Sequence, residues 1–201
     1  WVAAQGPLWN KGDERGLYKS VDGGKNWRQV LFVSDSTGAV DLALDHNNPR
    51  ILFAAMWRAE RKPWTLVDGG QEGGIWKSVD AGETWEKLSA GLPSGLVGRI
   101  GLAISPANPD VIYASIERAQ RNVEFYRSLD RGESWEKRSD HMTTSPQYFN
   151  ELYVDPNDAD VVYSVDTFTH RSLDGGKTWE RLSLNSRHVD DHALWIDPAN
   201  S

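Results

Sequence analysis

The sequence predicts an all-β fold of repeated four-stranded antiparallel sheets, on three observations. Ten tryptophans among 201 residues recur at intervals instead of scattering. An eight-residue pattern occurs four times: SVDGGKNW at 20–27, SVDAGETW at 78–85, SLDRGESW at 128–135 and SLDGGKTW at 172–179. A second pattern alternates with it: LALDHNNPRILFAA from Leu42, LAISPANPDVIYAS from Leu102, LYVDPNDADVVYSV from Leu152 and a shortened LWIDPANS from Leu194. No helical period runs between them, so the chain reads as strands and turns.

The second pattern supplies two strands, a and b. Apolar runs rich in Val, Ile and Tyr flank an Asp/Ser-Pro-x-Asn turn, and Pro beside Asn or Asp closes a tight reversal. The first pattern supplies strands c and d: an extended stretch enters a turn where Gly adopts a positive φ, and the chain leaves through Trp. Its copies start at residues 20, 78, 128 and 172, hence 58, 50 and 44 residues apart. Four-stranded units at that interval predict a β-propeller, with blade units at about 1–35, 36–92, 93–140 and 141–185 and the first strand of the next at 186–201. The N-terminus is expected to supply strands b, c and d and the C-terminus only strand a (193–197). Together they would complete one blade, which permits a closed four-bladed ring, although a fragment of a larger propeller is the favoured reading.

Four columns are fixed in the first pattern: Ser20, Ser78, Ser128 and Ser172; Asp22, Asp80, Asp130 and Asp174; Gly24, Gly82, Gly132 and Gly176; Trp27, Trp85, Trp135 and Trp179. The carboxylate and hydroxyl can accept backbone N–H groups across the turn, Gly frees the backbone, and Trp covers apolar surface. These residues are therefore read as structural. A calcium loop at Asp22 lacks the alternating oxygen ligands and the closing Glu.

Composition narrows the function. With 22 Lys+Arg against 29 Asp+Glu the net charge is −7, which argues against a nucleic-acid partner and against an anionic membrane surface. The longest uninterrupted apolar run, 51–57, is far short of the roughly 20 residues of a membrane-spanning helix, so no membrane insertion is expected. The absence of cysteine excludes disulfides and thiolate chemistry without fixing a compartment. The chain opens at Trp1 and shows no charged-then-apolar leader, so it is read as processed or cut from a longer protein.

The Ser-x-Asp-x-Gly-x-Thr-Trp copies resemble Asp-box repeats, also called BNR repeats, found in sialidases, xyloglucanases and sortilin-type receptors. Segments such as GPLWNKGDERGLYKSVDGGKNW and MWRAERKPWTL resemble bacterial sortilin-like propellers, which often carry a glycosyl-hydrolase label. The resemblance covers the whole chain and identifies architecture better than chemistry. It implies a larger propeller, so contacts with further blades of the same full-length chain, and an exported protein, periplasmic or secreted.

In an up-and-down blade the a–b and c–d turns share one face and the b–c and d–a connections the other, so function is expected on the side away from the Asp-boxes. The longest connection, 58–74, gathers Arg58, Glu60, Arg61, Lys62, Trp64 and Asp68. Trp64 suits stacking on a sugar or peptide, Arg58 and Arg61 suit carboxylate binding, and Glu60 and Asp68 are candidate acids. For this cluster the favoured reading is that the charges pair with one another and Trp64 packs on a neighbouring blade, with ligand binding as the alternative.

A second cluster is His188, Asp190, Asp191 and His192. In an extended chain His188, Asp190 and His192 face one way, with Arg99 expected nearby from another blade. Lining of a central channel is the favoured reading, ahead of acid/base work by Asp190 or Asp191 and ahead of a metal; no metal and no cofactor are assigned. Glycoside hydrolysis requires two facing carboxyl groups. Asp35, Asp41, Glu60, Asp68, Glu151, Asp190 and Asp191 are available, but spacing does not say which two meet. Arg58, Arg99 and Arg187 do not complete a sialidase set, and no nucleophile elbow, P-loop or dinucleotide fingerprint occurs. The leading expectation is a module that binds a peptide or carbohydrate ligand; the alternatives are a xyloglucanase-type hydrolase and a structural scaffold.

Overall fold

The computed structural model describes residues 1–118, 122–141, 143–183 and 188–201. It comprises two compact units, Trp1–Leu88 with Ser94–Ile100 and Ser89–Pro93 with Gly101–Ser201. Among the described residues all regular structure is strand, and all pairing is antiparallel.

The first unit holds two sheets. One has the order β1 (Val2–Ala4), β2 (Gly16–Lys19), β3 (Arg28–Leu31). The other has the order β4 (Thr37–Leu44), β5 (Leu52–Lys62), β7 (Gly74–Ser78), β8 (Glu86–Lys87), with β6 (Thr65–Asp68) paired to the outer part of β5. The inner part of β5 is buried on both faces, as its unbroken apolar run requires. Leu17, Leu31, Ala39, Ala54 and Met56 form the core of this unit, with Trp1, Trp76 and Trp85 packed against it.

Two four-stranded sheets make the second unit. Their orders are β9 (Ile100–Ile104), β10 (Ile112–Glu117), β11 (Val123–Ser128), β12 (Glu136–Ser139), and β13 (Glu151–Val154), β14 (Val162–Val165), β15 (His170–Ser172), β16 (Glu180–Arg181). Val111, Tyr113, Phe125, Leu152, Val154 and Val162 are in its core; Tyr113 stacks on Phe125, and Trp179 meets Phe125 edge-on at 4.8 Å. The sheets are the blades of a β-propeller, and consecutive strands are neighbours because each is joined to the next by a hairpin.

The Asp-box turns are built as the columns require. In each copy the Ser hydroxyl donates to the Asp carboxylate at 2.7–2.8 Å and accepts the Gly N–H at 2.7–2.8 Å. The Trp indole N–H donates to the Gly carbonyl at 3.0–3.2 Å. A fifth position joins in: Asn26, Thr84, Ser134 and Thr178 each give a backbone N–H and a side-chain donor to the same carboxylate. Two consecutive residues take positive φ. The first tolerates Ala81 at 63° and Arg131 at 58°, whereas the second, at 81–87°, is always Gly. A Cβ on Gly176 would sit 2.2 Å from the Phe125 ring and one on Gly82 2.3 Å from the Trp1 ring, so this Gly is also where the turn presses on its neighbouring sheet.

The a–b turns lie at the same end of each sheet as the Asp-boxes. Ala81, Arg131 and Gly175 donate their N–H groups to the carbonyls of Arg50, Asp110 and Asp160, at 2.9, 3.1 and 2.9 Å. In the β4–β8 sheet, Leu52 pairs with Ser78 at this end and Met56 with Gly74 at the other, so residues 58–73 leave from the side away from the Asp-box.

Three expectations are corrected. Residues 58–74 are not one loop: β5 runs on to Lys62, turns at Pro63 and Trp64, and returns as β6. Residues 193–197 form no strand, and Trp195 is exposed, since an extended segment without a hydrogen-bonding neighbour has no ladder to join. Residues 188–192 are not extended either, because Asp190 has φ 72° and a positive φ breaks the two-residue alternation.

Candidate functional site

The β5–β6 hairpin forms the most prominent feature at the loop end of the first unit. Lys62 pairs with Thr65, leaving a two-residue turn in which Pro63 presets φ and Trp64 stands at the apex, 81% exposed. Trp64 therefore does not pack against the sheets of the first unit. Arg61 donates its N–H to the Leu8 carbonyl at 2.8 Å, which ties the hairpin to the connection between β1 and β2. That connection carries Leu8 and a second exposed tryptophan, Trp9, at 55%. Trp9 lies outside the repeats, and its only signal in the sequence is an aromatic among polar residues in a variable connection.

The charged residues of the hairpin divide between ion pairing and support. Glu60 forms an ion pair with Lys62, which holds its carboxyl below the usual range. Asp68 accepts the indole N–H of Trp57 at 2.8 Å, and Arg99 lies over the same ring at 5.8 Å from its centroid. Asp68 and Arg99 thus meet around the buried Trp57. Arg58 sits on β5 opposite Thr37, its Nε buried without a hydrogen-bond partner. Nearby, Glu72 accepts the hydroxyls of Ser34 (2.6 Å) and Thr37 (2.9 Å), which lower its pKa. Asp35 is held low by Ser36 and then by Lys11.

Arg15 organises the adjoining connection and escaped the sequence reading. Its guanidinium is buried and donates to the backbone carbonyls of Gln5, Pro7 (2.6 Å), Asn10 (3.0 Å) and Asp35 (2.8 Å). Gly6, at φ 77°, is pressed against it: a Cβ there would lie 2.4 Å from Arg15 Cγ. A lone Arg before a strand carries no mark that distinguishes it from a surface cation.

In the second unit the structure does not gather the C-terminal cluster. His188 is exposed, with Nδ1 at 2.6 Å from the Val189 carbonyl. Asp190 donates its N–H to the Thr167 carbonyl and is otherwise exposed. Asp191 receives the Thr169 hydroxyl at 2.5 Å, and His192 meets the Phe149 ring edge-on at 4.5 Å. Among the described residues no group of three His, Asp or Glu side chains is placed to hold a metal ion. Arg187 lies outside the described residues.

Comparison with known proteins agrees with this architecture. The BNR/Asp-box repeat pattern matches residues 170–181, the fourth copy of the turn together with β15 and β16. The chain carries Asp-box repeats on a propeller resembling those of glycoside hydrolases. No curated protein sequence matches it. Among solved structures it is similar to the GH74 enzyme of Niastella koreensis (TM-score 0.61, 21% identity, 86% of this chain and 27% of that one). It is similar also to the GH74 xyloglucanase of Xanthomonas campestris (TM-score 0.56, 22% identity, 79% and 24%) and to an ancestral GH74 enzyme (TM-score 0.62, 17% identity, 90% and 24%). The chain thus spans about a quarter of the length of these enzymes, and the likeness establishes the fold.

Proposed function

We propose that this chain is a ligand-binding portion of an exported sortilin-like propeller protein, and that Trp64 and Trp9 at the loop end of the first unit take a polar chain ligand, a glycan or a peptide. Trp64 carries the reading. An indole held 81% exposed on a hydrogen-bonded hairpin keeps apolar surface in water, a cost that a binding partner would remove. The hairpin is pre-organised by its ladder and by the Arg61–Leu8 hydrogen bond, so little ordering entropy opposes binding. Arg61, just before the turn, supplies donors for hydroxyl or carboxylate groups.

The same residues speak less well for hydrolysis. Glu60 is engaged by Lys62, Asp35 by Lys11, and Asp68 by Trp57, whereas a hydrolase requires one carboxyl group free to donate a proton and a second facing it. Calorimetric titration against a panel of oligosaccharides and peptides tests the proposal, with wild type compared with Trp64→Ala. The expected result is a loss of about 30-fold for any positive ligand, the scale of a hot-spot tryptophan worth roughly 2 kcal/mol, with unchanged thermal stability. Equal affinity of both proteins would remove Trp64 from the site.

A further inference from the structure

The second unit buries two imidazoles that the ligand-binding reading does not use. His141 follows β12 in the connection that leads to β13, and it is only 8% exposed. Its ring lies flat on the Asp-box Trp179, with centroids 3.9 Å apart and planes 14° from parallel. Its edge meets His170, the first residue of β15, at 5.0 Å. His141 Nε2 and His170 Nδ1 are both buried without a hydrogen-bond partner. The strand end before this connection is held by Ser139, whose hydroxyl accepts the Trp179 indole N–H, and the connection itself is tied down by the Ser145 N–H, which donates to Asp166 Oδ2.

We propose that His141 and His170 form an acid-triggered latch, which holds the described residues between β12 and β13, 140–141 and 143–150, against the fourth sheet while both rings are neutral and releases them when either ring is protonated. Among the described residues, the influences that act on His141 are burial and His170, and both oppose an imidazolium. Its charged chain neighbours are engaged: Asp140 with Lys137, and Arg138 with Glu136 and the carbonyls of Asp174 and Gly175. From β15 it faces only His170, a second cation once protonated. Around His170, burial favours the neutral ring and outweighs the rest: the Phe168 backbone favours a proton by hydrogen bonding, Arg181 of β16 repels one and Asp166, just past β14, attracts one. Asp166 already accepts the N–H groups of Ser145 and Thr167, and Asp191 takes the Thr169 hydroxyl. Burial pushes His141 down to about 3, with His170 adding to the effect, and burial likewise lowers His170.

The sign follows from linkage. A histidine whose pKa is lower in the closed state than in the open one binds its proton on opening, so closure is fully favoured above about 6.5 and weakens as the pH falls from there toward 3. With one proton taken up per opening, the open population rises about tenfold per pH unit in that window, or roughly 30-fold between pH 7.5 and pH 5.0.

Hydrogen–deuterium exchange of the full chain at those two pH values, corrected for intrinsic rates, reads the opening directly. Protection of peptides covering 139–150 should fall about 30-fold in wild type, while peptides from β5 keep theirs. The double variant His141→Phe/His170→Phe retains aromatic packing on Trp179 and should lose the pH dependence. Unchanged wild-type protection at pH 5.0, or the same fall in the double variant, overturns the proposal. NMR titration of the wild-type ring signals serves if the variant does not fold. His141 should show no titration near pH 6.5 in the closed state, and a titration there with protection intact refutes the latch.

Discussion

Replacing the Asp-box serine by alanine separates structural columns from decoration. Ser172 is almost wholly buried; its hydroxyl accepts the Gly176 N–H at 2.8 Å and donates to Asp174 at 2.8 Å. Ser172→Ala leaves that buried N–H without an acceptor, a loss of about 1–3 kcal/mol, or about 4–8 °C in Tm for ~2 kcal/mol in a chain of this size. Ser78 and Ser128 hold buried N–H groups of Gly82 and Gly132 in the same way and should cost as much. Ser20 is the internal control, because the Gly24 N–H it accepts is exposed and water can replace it, so Ser20→Ala should stay within about 0.5 kcal/mol. Thermal unfolding followed by circular dichroism ranks the four variants. A Ser20→Ala loss as large as that of Ser172→Ala, or four silent variants, would refute the argument that the fixed serine satisfies a buried backbone donor.

Two further outcomes follow from close approach and from charge. Gly101 lies where an added Cβ would be 1.8 Å from the Asn150 carbonyl oxygen, so Gly101→Ala forces β9 and the start of β13 apart and should cost about 3 kcal/mol; a Tm equal to wild type would contradict this. Asp22 is held at about 2 by the Asn26 backbone N–H and then its side chain; at Asp174 burial pushes upward but is outweighed by Thr178 and Ser172, again giving about 2. Since these folded-state values are depressed, the stability they confer is complete above about 4 and is lost as the pH falls toward 2. Acid unfolding followed by tryptophan fluorescence should therefore lose part of its slope below pH 4 in Asp174→Asn, and the pH 4–6.5 range should not change.

What the sequence by itself determined is what short-range hydrogen bonding determines. The Asp-box network closes between residues two and four apart, and the a–b turns close the same way when Asp45 accepts the N–H groups of Asn47 and Asn48. Such motifs write their geometry into fixed spacings, so the strands that flank these turns, their order and the end of each sheet that bears the turns are legible in the sequence, whereas β6 and the unpaired 193–197 segment are not. Only the tertiary structure decided what the chemistry-bearing side chains touch. Trp57 takes Asp68 out of the candidate acids, Arg15 gathers carbonyls up to twenty residues away, and His141 finds His170 and Trp179 from another sheet. The hairpin that raises Trp64 was hidden because Pro63-Trp64 lacks the Asn-Gly or Asp-Gly chemistry of a recognisable two-residue turn, and its register is set by β5. Asp190 shows the limit from the other side: one residue at φ 72° cancels an alternation that the letters alone imply. Contacts between residues distant in sequence depend on how sheets pack, and packing leaves no fixed spacing to read.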